Sequence, residues 1–378
     1  MGGIAALLGV FAVLGLIYQA AATWAVRRFM ARIPPSPLRR PPVSVLKPLC
    51  GADPALEAHL VGLLRQGYPD LQLICGVAAE DDGAIPIVRR VMAQFPNADI
   101  ALVVDPTRHG NNLKVANLLN MLPAATHELL VIADSDVAAH DGYLDQVVAP
   151  FADPEVGIVT FLYVGRPLSD FASRLGAAGI NHGFLPSALV ARLLGRHDGC
   201  FGATIAIPAS LLAEIGGLAP LRDRVADDWA LGAAVRALGR KIAVAARPVE
   251  MIVAEEDGPA LFAHEVRWGR TIAAIDRISY IASVVTQPVM LALLATLVGG
   301  WKWLPLLVAA LLARVTAVRL QEQAFSLPSL GLKDLLLRDL LSFVVLLTAC
   351  FGRTVLWRGR RFRVERDGTL TLLEGTSR

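Results

Sequence analysis

Two aspartates separated by one serine, Asp134-Ser135-Asp136, close the apolar run Leu129 to Ala133. At the end of a strand, carboxylates in that spacing fall on one side of the pleat, because side chains alternate with period two. Two such groups beyond a sheet edge suit a hard divalent cation, Mg2+ or Mn2+, that also binds a diphosphate. The same residues also read as a turn in which Asp136 caps the next helix. Upstream, the run His109 to Asn117 sets a glycine and three asparagines around Lys114 at a helix opening. A helix amino terminus beside a lysine is an anion site, although an ordinary capped helix has the same pattern. It is not a Walker A loop, since G-x-x-x-x-G-K-[ST] is absent.

Downstream, Asp228 precedes the apolar spacing of Trp229 to Leu238. It reads as a helix N-cap or as a general base facing a hydroxyl. In His264-Glu265-Val266-Arg267-Trp268, Arg267 can grip phosphate oxygens bidentately and Trp268 can stack on a sugar. Arg and Trp are equally at home at membrane interfaces.

These residues need a scaffold that delivers them to one edge. Strand patterns at Val43 to Leu46, Leu71 to Val77, Ile100 to Val104 and Leu129 to Ala133 alternate with helical patterns at Ala55 to Arg65, Ala84 to Gln94 and Lys114 to Met121. Such alternation predicts an α/β domain with a mostly parallel sheet and its chemistry at the carboxyl ends of the strands. Gly157 to Phe161 and Ala203 to Ile207 read as further strands, and Leu211 to Ile215 as a helix stopped by Gly216-Gly217.

The chain is 54% hydrophobic over 378 residues yet well charged in its middle, which fits a soluble domain flanked by membrane segments. A net charge of +3 gives no reason to expect a nucleic-acid partner. Gly3 to Ala22 carries no charge and is long enough to cross a bilayer, and Arg27, Arg28 and Arg32 follow it. The charge placement argues against a cleaved signal peptide and for a cytoplasmic domain on an integral membrane protein. Residues 1–26 are therefore expected as a transmembrane helix, 27–42 as a Pro-rich linker and 43–272 as the catalytic domain. Residues 273–356 follow as a membrane region and 357–378 as a basic cytoplasmic tail that includes Arg358 to Arg363. Three apolar stretches, Tyr280 to Leu297, Trp303 to Leu312 and Leu335 to Cys350, leave an odd crossing, so one is expected to be re-entrant or interfacial. Cys50, Cys75, Cys200 and Cys350 have no metal or disulfide spacing and are expected to pack as small apolar residues.

The ordered set LVIADSD, GNNLKVANL, ADDW and HEVRW, with VSVLKPLCG before it and VLWRGRRFRV after it, resembles the family-2 glycosyltransferases. The resemblance is to the ceramide glucosyltransferase-like group, which includes bacterial enzymes acting on hopanoid lipids, and it covers about residues 1 to 365. It implies a GT-A fold that is Rossmann-like, a UDP-sugar donor, a divalent cation and inversion at the anomeric carbon. By matching position, it implies that Lys114 and Asp134 contact the donor, that Asp134 and Asp136 hold the cation, and that Asp228 is the base. It places His182, with His264, on the acceptor side. Where the group shows an acid after the second strand, this chain has Ala79, leaving Glu80 or Asp82 to contact the nucleoside, and its closing motif starts with His264.

The expected reaction moves glucose or N-acetylglucosamine to a hydroxyl of a ceramide-like or hopanoid lipid in the bilayer, at the bacterial inner membrane. The alternatives are a nucleotidyltransferase acting on a membrane substrate and a degenerate protein that binds lipid or nucleotide without turnover.

Overall fold

The computed structural model describes residues 2–168, 170–357 and 360–373. In chain order it runs α1 (Gly2–Met30), β1 (Val43–Pro48), α2 (Leu56–Leu64), β2 (Leu71–Val77), α3 (Ala84–Gln94), β3 (Asp99–Val104), α4 (Leu113–Met121), β4 (Leu129–Ala133), β5 (Val137–Ala138), α5 (Tyr143–Val148), β6 (Val156–Thr160) and β7 (Tyr163–Pro167). It continues through α6 (Phe171–Gly179), α7 (Leu185–Leu193), β8 (Thr204–Pro208), α8 (Ala209–Glu214), α9 (Asp227–Ala237), β9 (Lys241–Val244) and β10 (Val249–Val253). The last part comprises α10 (Gly258–Ile275), α11 (Arg277–Ala282), α12 (Pro288–Gly299), α13 (Leu304–Phe325), α14 (Leu332–Cys350), β11 (Thr354–Trp357), β12 (Arg360–Val364) and β13 (Leu370–Leu372).

Two compact units result. One comprises Arg32–Arg166 and His197–Ile252; the other comprises Met1–Ala31, Pro167–Arg196 and Val253–Arg378. The expected continuous domain over 43–272 is therefore interrupted. Pro167–Arg196 groups with the terminal segments because its helices pack on theirs: the Arg338 guanidinium of α14 donates to Leu175 O, and Arg314 of α13 to His182 O.

The first unit is built on a seven-stranded sheet in the order β3-β2-β1-β4-β8-β6-β9. β1, β2, β3 and β4 pair in parallel, as the alternation predicts. β8 runs antiparallel to β4 and to β6, which makes the sheet mixed. Side chains alternate across it into two cores. Val43, Val45, Leu73 and Val131 meet α2, α3 and α5 on one face, and Leu46, Ile74, Ile132 and Ile205 meet α4, α8 and α9 on the other. A small sheet, β5-β10-β7, completes the unit. The Pro-rich segment is tied to this unit, because Arg40 pairs with Asp145 at 2.6 Å and Tyr68 donates to Pro41 O at 2.7 Å.

The second unit is helical. α1 and a helix over Trp301–Phe325 are each long and apolar enough to cross a membrane. α11 with its following turn and α12 form a pair bent by 74° at Gln287-Pro288, where proline cannot continue the helix. α14 carries Lys333, Asp334, Arg338 and Asp339 within its length. Three of those charges are compensated inside the unit: Arg338 contacts Glu265 at 2.5 and 2.6 Å, Arg314 grips Asp339 at 2.8 Å, and Arg174 lies 3.5 Å from Asp334. Where a basic tail was expected, β11, β12 and β13 form an antiparallel sheet around Val355, Phe362, Val364 and Leu370. Arg358 and residues 374–378 of that tail lie outside the described residues. Of the cysteines, Cys75 and Cys200 are buried as expected, whereas Cys50 is exposed on the loop that turns at Gly51, whose φ is +77°.

Candidate active site

β4 ends at Ala133, so the two acids lie on a turn and not on the strand. The turn is closed by Val137 N donating to Asp134 O at 3.2 Å. The alternation argument for their proximity is thus corrected: a tight turn brings them together. Both remain at the carboxyl end of a central strand, where the parallel sheet was expected to deliver them.

Asp134 Oδ1 lies 2.5 Å from the Lys114 ammonium. α4 opens with Asn112 as a genuine cap, its side-chain oxygen accepting from Lys114 N at 3.0 Å and Val115 N at 3.2 Å. That cap fixes the first turn and with it the start of the Lys114 side chain. Burial pulls the Lys114 pKa down, but the carboxylates of Asp134, Asp227 and Asp228 together more than offset this and hold the ammonium above its ordinary range. For Asp134 the balance falls the other way. Burial raises its carboxyl pKa in spite of Lys114.

Asp136 is pushed up to about 7, by burial first and by the neighbouring Asp134 charge second. Its Oδ1 is buried with no hydrogen-bond partner among the described residues. A buried carboxylate oxygen without a partner is costly, and a cation is one group that would satisfy it. No cluster of three or more His, Cys, Asp or Glu side chains suited to a metal occurs among the described residues. Two carboxylates complemented by substrate phosphates and water are, however, the usual way in which Mg2+ is held. Asp134 and Asp136 fit that arrangement.

Asp228 sits in the first turn of α9, two residues past the cap position Ala226, so it is not the N-cap. Its Oδ2 accepts from Gly202 N at 2.9 Å and its Oδ1 from Trp229 N at 2.7 Å. A Cβ added to Gly202 would lie 3.1 Å from Asp228 Oδ2, so a glycine there lets the backbone approach the carboxylate. Burial and then the adjacent Asp227 raise the Asp228 pKa to about 6. A carboxylate so poised is suited to proton transfer near neutral pH. The structure thus brings Lys114, Asp134, Asp136 and Asp228 into one unit, and their charges act on one another.

Asp82 follows the second strand, and its Oδ1 accepts from Gly51 N and Ala84 N, both at 2.9 Å. It caps the turn into α3 and clamps the loop after β1. Glu80 is exposed. His264, Arg267 and Trp268 lie on α10, in the helical unit. There His264 Nδ1 contacts Glu255 at 2.8 Å, the His264 and Trp268 rings meet edge-on at 4.4 Å, and Arg267 lies over the Trp357 ring at 5.7 Å. His182 is buried on a π-helical turn of the same unit, with Nδ1 3.1 Å from Gln321 Oε1.

Three residues of the first unit escaped the sequence reading. Lys47 is fully buried at the end of β1 and donates to Asp134 O at 2.8 Å and Val137 O at 3.1 Å. His59 Nδ1 contacts Ser135 O at 2.9 Å. Tyr163, at the start of β7, is close enough to Asp228, Asp136 and Asp134 for their charges, after burial, to raise its phenol pKa. The signal for Lys47 was present in VSVLKP, a lysine at a core-facing position of an otherwise apolar strand.

The sequence profile described as Glycosyl transferase family 21 matches residues 7–370. Ceramide glucosyltransferase 1 of Caenorhabditis elegans is 24% identical over 371 residues, covering 95% of this chain and 79% of that protein. A ceramide glucosyltransferase of Komagataella phaffii is 30% identical over 110 residues, covering 28% of this chain and 22% of the relative. Among solved structures, the mannosyltransferase PcManGT of Pyrobaculum calidifontis, determined in complex with GDP-Man and Mn2+, superposes with a TM-score of 0.52 at 22% identity. The match covers 90% of this chain and 97% of that one. This likeness is one of fold, and it agrees with the GT-A architecture expected from the motifs.

Proposed function

Since the chain belongs to glycosyltransferase family 21, we propose that it transfers a hexose, glucose or N-acetylglucosamine, from a UDP-sugar to a hydroxyl of a ceramide-like or hopanoid membrane lipid, with inversion. The observation that carries this reading is the Lys114–Asp134 contact beside the partnerless Asp136 oxygen, in the same unit as the raised Asp228 carboxylate. Family membership weighs against a nucleotidyltransferase and against a chain without turnover.

Lys114 binds the donor diphosphate electrostatically, and the opening of α4 adds its amide dipoles. A divalent cation held by Asp134 and Asp136 would neutralise charge on the departing UDP. Asp228 accepts the proton of the lipid hydroxyl as its oxygen attacks the anomeric carbon. The new bond runs from lipid oxygen to that carbon, the bond to the phosphate oxygen breaks, and UDP leaves with its electron pair. The amides of Gly202 and Trp229 hold the base in position, so little reorganisation is needed at the moment of transfer. The HEVRW motif supports Arg267 as a phosphate contact and Trp268 as a sugar contact. Asp82 and Glu80 are the proposed nucleoside contacts, and His182 and His264 the acceptor-side ones.

The apolar helices support an integral membrane protein, and Arg27, Arg28 and Arg32 support a cytoplasmic catalytic unit. The deciding experiment is mass spectrometry of lipids from cells with and without the gene, alongside UDP release by the purified chain with Mg2+ or Mn2+. A hexose or N-acetylhexosamine increment on one lipid class is expected. Pyrophosphate release, or no product with any lipid extract, would overturn the reading.

A further inference from the structure

The turn that carries the two acids is anchored through every one of its carbonyl groups. Asp134 O accepts from Lys47 Nζ and from Val137 N. Ser135 O contacts His59 Nδ1. Asp136 O accepts from Ile252 N at 3.0 Å, and Val137 O from Lys47 Nζ. One ammonium therefore bridges the first and last residues of a four-residue turn from behind, while in front the Asp134 carboxylate meets Lys114 and Asp136 Oδ1 has no partner among the described residues.

Lysine is almost never fully buried without a charged partner in contact, because its head is strongly hydrated. Here the stem continues the core-facing alternation of Val43 and Val45, and the head meets two carbonyl oxygens instead of a carboxylate. An apolar residue would fill the same strand position at lower cost, so the lysine answers a need of the turn. That need is geometric and electrostatic: two carboxylates must be kept close together, and a cation ligand has to be oriented by what lies behind it.

We propose that Lys47 is a positioning residue that clamps the Asp134–Val137 turn from behind so that Asp134 and Asp136 present their oxygens to a divalent cation and donor diphosphate. The inference rests on the proposed cation-assisted transfer. It extends that proposal to a residue that touches neither substrate nor cation.

The test uses the full-length chain in detergent or nanodiscs, with Mn2+ binding followed by electron paramagnetic resonance in the presence and absence of UDP. Lys47→Met keeps the length and apolar stem and removes the head. Its Mn2+ dissociation constant is expected to rise roughly tenfold or more, the usual effect of removing a group that orients a metal ligand, and added Mn2+ should restore UDP binding. A folded Lys47→Met chain that binds Mn2+ as tightly as wild type, with only its melting temperature lowered, overturns the proposal and leaves the transfer reaction standing. If the Met variant does not give a monodisperse peak, Lys47→Leu, which also fills the apolar strand position without a donor, is judged by the same criterion. Failure of the wild-type chain to bind Mn2+ with or without UDP sinks the cation-assisted reading itself.

Discussion

Lys114 and Asp134 meet at 2.5 Å where the first turn of α4 faces the end of β4, and each is less than one-third exposed. Lys114→Met removes the charge that compensates Asp134 as well as the donor contact. We expect the chain to lose about 1–3 kcal/mol of stability and the donor KM to rise about tenfold or more. Thermal melting with and without UDP separates the effects, since UDP should protect wild type more than the variant.

Asp228 sets an expected pH limb. With its pKa raised to about 6 by burial and Asp227, it must be ionised to accept a proton, so kcat/KM should rise with pH through about 6 and then level. Asp227→Asn removes one cause of the shift and should move the limb to lower pH. Asp228→Asn should lower kcat by about 10²–10⁴-fold with UDP binding retained. A pH–rate profile of the three chains checks all of this.

The same acids should make the cation-free chain less stable as pH rises. Asp136 and Asp228 have folded pKa values of about 7 and about 6, above the ordinary carboxylate value, so between about pH 4 and 7 the native state binds more protons than the unfolded one. Stability is therefore highest at the acid end of that window and falls as pH rises through it. Mn2+ should restore melting temperature most at pH 7.5 and little at pH 5. Asp136→Asn should raise the cation-free melting temperature at pH 7.5 and abolish the Mn2+ response.

Within the helical unit, Glu265 of the HEVRW motif contacts Arg338 at 2.5 and 2.6 Å, joining α10 to α14. Arg338→Met leaves the partly buried Glu265 carboxylate alone and is expected to cost about 2–4 kcal/mol, somewhat below the loss for a fully buried pair. Adding Glu265→Leu should recover much of that loss. Melting curves of the single and double variants in detergent measure the recovery.

Gly76 in β2 leaves room for the Met121 and Asn117 side chains of α4; a Cβ there would lie 2.3 Å from Met121 Sδ and 2.5 Å from Asn117 Oδ1. Gly76→Ala is expected to destabilise by about 1–3 kcal/mol through overpacking. The shift should appear in the denaturation midpoint.

Much of the catalytic unit was legible because its strands are short apolar runs bounded by turn residues. The bounds of Leu71–Val77, Ala84–Gln94 and Leu129–Ala133 are those the pattern gives. Asp134, Asp136, Lys114 and Asp228 stood out as charges next to such runs. Lys47 did not, since a lysine in a strand is ordinarily read as its exposed face; its alternation with Val43 and Val45 pointed inward, but what its head meets there is set by residues 87 and 90 positions away. The departure of Pro167–Arg196 from the catalytic unit was hidden for a related reason. Its glycines and buried polar residues Ser173, Asn181 and His182 give no clean period, and its partners Gln321, Arg314 and Arg338 are over 130 residues away. The antiparallel β8 looks from sequence like any other buried strand, because direction leaves no mark on composition.

The packing of α1 against α12 and α13 carries a consequence for synthesis. Ala12 of α1 shares an apolar cluster with Val289, Leu291 and Ala292 of α12 and Ala310 of α13. Those partners emerge from the ribosome ~260 residues after α1, which at roughly 5–20 residues per second is an interval of about 13–50 seconds. Through that interval the catalytic sheet can form, while α1 waits among lipid tails as an independently stable rod. Insertion would come first and helix association last, so a defect in α12 or α13 should leave a chain that is inserted and has its sheet formed, yet never closes its helical unit.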